Sequence, residues 1–108
     1  FKPAAENVRY ARQVRSSAGL ALFVSARDDK AHWVQAGRSY QRFALQATAL
    51  GIRHAHLNQP LEIAPIRRQL GALLGVGDRR VDLMVRYGHA PPMPRSLRRP
   101  VRDVIIAA

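Results

Sequence analysis

The stretch Val81-Asp82-Leu83-Met84-Val85-Arg86-Tyr87-Gly88 organises the rest of the chain. Val81, Leu83, Val85 and Tyr87 alternate with Asp82, Met84 and Arg86. Side chains of a strand point to opposite faces in turn, so this spacing predicts a strand with one buried face. The residues after Gly88 cannot continue a sheet: Pro91, Pro92, Pro94 and Pro100 exclude both a helix interior and a regular ladder. Residues 89–108 are therefore expected to be an extended Pro/Arg-rich tail, ending in an apolar Val101-to-Ile106 segment able to add a strand to a neighbouring sheet. Within it Arg95, Arg98 and Arg99 are presented on a nearly fixed backbone. Guanidinium forks match phosphate oxygens bidentately, so a phosphate group is their natural partner; a solvated basic end is the plainer alternative.

Upstream, Ile66, Leu70, Leu73 and Leu74 share one face of a helix expected from Ala64 to Leu74, with Pro65 in its first turn and Gly75 and Gly77 closing it. Ile52 to Leu57 is strand-like and Asn58-Gln59-Pro60 ends it. From His32 to Leu50 apolar and small residues recur every three or four positions through Trp33, Ala36/Gly37, Tyr40, Phe43/Ala44 and Ala47. That period predicts a long core helix, with Asp29 as its N-cap and Gly51 as its C-terminal cap. Gly19 to Ser25 is a continuous apolar run, expected to be a strand covered on both faces. Ala4 to Arg15 places Val8, Ala11 and Val14 at helical spacing, and Ser16-Ser17 ends that helix.

At 108 residues the chain is one domain at most, small for an enzyme that must enclose a cofactor by itself. No apolar run approaches the roughly 20 residues of a membrane span. A net charge of +11, from 18 basic and 7 acidic residues, makes polyanions the first partners to consider, although the arginines are spread along the whole length. With no cysteine, disulfides and thiol chemistry are excluded. The first residue is Phe1 and no signal-type apolar segment comes after it, as expected of a fragment, a processed product or a trimmed form.

Few constellations point to chemistry carried by side chains. His54 and His56 would share a strand face, but without HExxH spacing or a nearby carboxylate they read as packed histidines and no metal site is expected. The serines lack an elbow motif or any spacing that pairs them with a base, and the glycines fit neither the dinucleotide nor the P-loop pattern. No catalytic side chain is assigned. Nucleic-acid binding rests on charge alone, because Trp33, Tyr40 and Phe43 belong to the expected core stripe.

The order long helix, short strand, short helix, alternating strand and Arg-Arg-Pro tail resembles the C-terminal half of the flavin-dependent nitroreductase family. Trp33 followed by Ala36-Gly37, then Leu45-Gln46-Ala47-Thr48-Ala49-Leu50-Gly51-Ile52, is similar to that family's central helix and its ending. Val85-Arg86-Tyr87-Gly88 resembles the strand before its proline-rich connection, and Arg98-Arg99-Pro100 its closing motif. Asn58-Gln59-Pro60-Leu61-Glu62 together with Pro94-Arg95-Ser96-Leu97-Arg98-Arg99-Pro100 looks most like the Acg-like branch.

The resemblance implies an α+β fold, nitroreductase-like, with a mostly antiparallel sheet flanked by helices, of which residues 1–108 are the C-terminal part. It implies FMN at a dimer or pseudo-dimer interface, NAD(P)H as electron donor, and a small-molecule acceptor such as a nitro compound or quinone. His56, Leu57, Asn58 and Gln59 match the segment whose backbone lies beside the flavin ring, and the amide of Asn58 or Gln59 is its candidate donor. Arg98 and Arg99, with Arg95 nearby, match the basic tail that binds the FMN phosphate. The missing N-terminal half, or a partner subunit, would supply the rest, in a cytoplasmic protein without membrane contact. Two other outcomes stand beside this one: a basic module for nucleic acid or another polyanion, and a flavin-less relative used for storage or interaction.

Overall fold

The computed structural model describes residues 3–107. Three helices, α1 (Pro3–Arg15), α2 (Lys30–Ala49) and α3 (Ala64–Leu73), alternate with three strands, β1 (Gly19–Ser25), β2 (Arg53–His56) and β3 (Arg80–Gly88). Single 3-10 turns at Gln59–Leu61 and Val101–Asp103 complete the chain. The fold is α+β: the strands form one antiparallel sheet in the order β1-β3-β2.

β3 is thus the central strand, and this changes how its alternation is used. Val85 is fully buried, and the Phe43 ring of α2 meets Tyr87 edge-on at 6.3 Å. Met84, expected on the outer side, is buried as well, in a cluster with Leu57, Leu61, Val76 and Val81. Helices cover both faces of β3, so it has two apolar sides. Val81 and Met84 join one cluster although they lie three positions apart, an offset that places side chains of a regular strand on opposite faces. A β-bulge accounts for it: Phe23 lies opposite Leu83 but Val24 opposite Val81, leaving Asp82 as the extra residue. Asp82 is not a solvated residue either. Its side chain is only 6% exposed, accepts a hydrogen bond from the buried Ser25 hydroxyl, and pairs with Arg80 at 2.7 Å.

β1 departs from expectation in the opposite sense. Among the described residues it pairs only with β3, and Leu20 and Val24 stay exposed on its uncovered parts. Its other side is well packed: Phe23 meets Tyr40 and Phe43 of α2 edge-on, with centroids 5.9 and 5.7 Å apart.

α2 forms where its caps were expected. Asp29 accepts from the His32 backbone N–H at 2.9 Å, and that bond, with a second to the His32 ring, holds its carboxyl below the ordinary aspartate range. At the far end Gly51 takes φ 70°, a left-handed conformation that costs any other residue steric strain. The helix is nonetheless less central than its period implies. Only Ala36 and Ala47 are buried, while Trp33 sits half-exposed with its indole N–H on Asp28. In α3 it is Leu70 and Gly71 that pack inward; Ile66 and Leu73 are exposed. The expected α1 stripe of Val8 and Val14 is exposed too, and Tyr10 is that helix's contribution to the core.

The radius of gyration is 17.0 Å, against about 13 Å for a compact chain of this length. The accessible surface of 8881 Å² likewise exceeds the roughly 6,000 Å² of a folded monomer of this mass. Among the described residues no helix is long and apolar enough to cross a membrane.

Candidate functional site

The segment His56 to Gln59 becomes a pinned corner. After Gly51 the chain turns back, β2 pairs with β3 from Arg53 opposite Gly88 to His56 opposite Val85, and the Leu57 N–H continues the ladder to Met84 O at 2.8 Å. Leu57 is buried below. Asn58 then leaves the ladder, but its side chain takes over: Oδ1 accepts from the Met84 N–H at 2.9 Å, satisfying a strand donor that no backbone carbonyl reaches. Its Nδ2 lies 3.3 Å from His56 Nδ1. Leu61 is buried at the end of the next turn, and the Arg67 guanidinium donates to its carbonyl. The corner is therefore tied to β3, to the core and to α3. Within it the backbone N–H groups of Asn58 and Gln59 donate to no other backbone group among the described residues.

Next to the corner lies an aromatic layer between α2 and the sheet. Tyr40 Oη and His54 Nε2 are 2.9 Å apart, and the exposed His56 ring lies tilted against Tyr40 at 4.9 Å. The two histidines are thus packed on one tyrosine, and no group of three metal-ligating side chains occurs among the described residues.

Arg95, Arg98 and Arg99 stand apart. The tail runs without regular structure from His89 to Pro100, where φ −55° and ψ 146° are those of an extended polyproline conformation. All three arginines are exposed, and none pairs with a carboxylate among the described residues. The apolar end forms a 3-10 turn over Val101–Asp103, not an added strand. The structure brings His56, Leu57, Asn58 and Gln59 together, and none of the hydrogen bonds that hold them involves a tail arginine. The tail leaves the sheet at Gly88, four residues along β3 from the Met84 that holds Asn58, or roughly 13 Å at strand rise.

A second concave feature escaped the sequence. At the Gly88 end of the sheet a hollow of about 500 Å³ is lined by Arg53, Arg86, His89, Tyr87 and the start of the tail. Thirty-odd residues separate Arg53 from Arg86 in sequence, and only the β2–β3 register brings them side by side.

No family model, no curated protein and no solved structure matches the chain.

Proposed function

We propose that these residues form the C-terminal half of an FMN-dependent oxidoreductase of nitroreductase type, which passes electrons from a nicotinamide cofactor to a small acceptor. The observation that carries it is the corner: Asn58 spends its side-chain oxygen on β3, leaving two backbone N–H groups fixed in place with no backbone acceptor. Such donors suit the carbonyl and nitrogen acceptors along the edge of a flavin ring. FMN would supply the hydride chemistry, which explains why no acid or base need be found here.

The chain's own residues would bind and orient. Arg95, Arg98 and Arg99 offer charged donors to a phosphate without first breaking an ion pair. The half-covered β1 and the exposed Trp33, Val34, Leu45 and Leu50 of the α2 region offer the surface that a second half would cover. A surface area about half again that of a compact monomer supports the same division of the site between two halves.

The test is FMN retention by the whole protein before and after Arg98→Ala plus Arg99→Ala. Losing two charge-assisted contacts should weaken FMN binding about a hundredfold. Unchanged retention would remove the phosphate assignment.

A further inference from the structure

Arg86 lies on the central strand, and its Nε is buried without a hydrogen-bond partner. A charged donor left in that state is costly, and an acceptor arriving from outside would relieve it. Its neighbour on β2 is Arg53. Ala55 lies opposite Arg86 and Gly88 opposite Arg53, so the two arginines are diagonal neighbours on one face, roughly 7–8 Å apart. Neither arginine forms a salt bridge among the described residues, and no Asp or Glu lines the hollow they share.

The hydroxyls nearby do not compete for the role. Ser16 and Ser17 both donate to Gln13 O, at 3.2 and 2.6 Å, so their protons are spent. The charged donors on the hollow are the two guanidiniums, with the exposed His89 beside them. Ile52, Tyr87, Pro91 and Met93 supply an apolar wall on the same hollow.

From this arrangement we infer that the hollow at the Gly88 end of the sheet binds an organic phosphate monoester, its phosphate between Arg53 and Arg86 and its body against Ile52, Pro91 and Met93. Two arginine forks have more donors than the two oxygens of one carboxylate can accept; a phosphate monoester presents three terminal oxygens and two charges. A volume of about 500 Å³ fits a small organic molecule better than a bare ion. This site uses other arginines than the flavin proposal and does not depend on it.

Phenyl phosphate, inorganic phosphate and benzoate, titrated separately into the chain at constant ionic strength and followed by amide NMR shifts, provide the test. Phenyl phosphate should shift Gly88 and His89 and bind about tenfold more tightly than either comparison ligand. Arg53→Gln, at an exposed position, should weaken it about tenfold, and Arg86→Lys should do the same by keeping the charge but losing the fork. A triple Arg95→Gln, Arg98→Gln, Arg99→Gln variant should bind phenyl phosphate as the parent does. Equal affinity for benzoate or inorganic phosphate, no effect of Arg53→Gln, or loss of binding in the tail variant would each overturn the assignment.

Discussion

Asn58, Asp82 and Asp29 show how a short polar side chain can hold backbone or strand geometry in place. Asp29 was legible in sequence because its partner, the His32 N–H, is three residues away. Its carboxyl is held below the ordinary range mainly by that backbone bond, so its folded pKa is lower than its unfolded one. The contribution to stability is then present above the unfolded value and is lost as pH falls through the folded one. Asp29→Asn should preserve the cap while abolishing that acid-side dependence, and Asp29→Ala should lose the cap at every pH; helical circular dichroism against pH distinguishes them. Asp82 was not legible, because Ser25 stands far off in sequence and the bulge that buries Asp82 is a property of strand pairing. Removing one member of a buried, hydrogen-bonded pair leaves the others uncompensated, so Asp82→Ala should cost about 3 kcal/mol in denaturant unfolding.

At the scale of elements, the periodicities located all three helices and all three strands, but only part of what each buries: Val81, Val85, Ala36 and Ala47 are buried as expected, while other faces are not. Apolar runs and alternation report how a strand would be covered by neighbours, and the neighbours are set by sheet order. β3 took the centre, so Met84 became core; β1 took an edge, so part of its apolar run stayed in solvent. Leu73 was expected in the core stripe of α3 and is 82% exposed. Met84→Ala should therefore destabilise by about 3 kcal/mol, whereas Leu73→Ala should stay within about 0.5 kcal/mol. Gly51 joins α2 to β2 in the left-handed region, and Gly51→Ala should cost about 1 kcal/mol by thermal unfolding.

Across the whole molecule, the corner from His56 to Gln59 and the tail arginines were both visible as residue types, since amide-rich turns and proline-fenced arginines are local patterns. Their arrangement was not visible. The corner is fixed by a bond between Asn58 and Met84, and the tail lies in solvent with its arginines unpaired. Exposed apolar surface on α1, α2 and β1, with an extended overall shape, fits a chain that completes its site with a second half. The most direct measurement is the visible absorbance of the purified chain, alone and within the longer protein proposed to contain it. The chain alone should show no flavin bands, and the longer protein should carry one FMN per site. A stoichiometric yellow monomer from the chain alone, or a longer protein with no flavin bands at all, would contradict the half-site account.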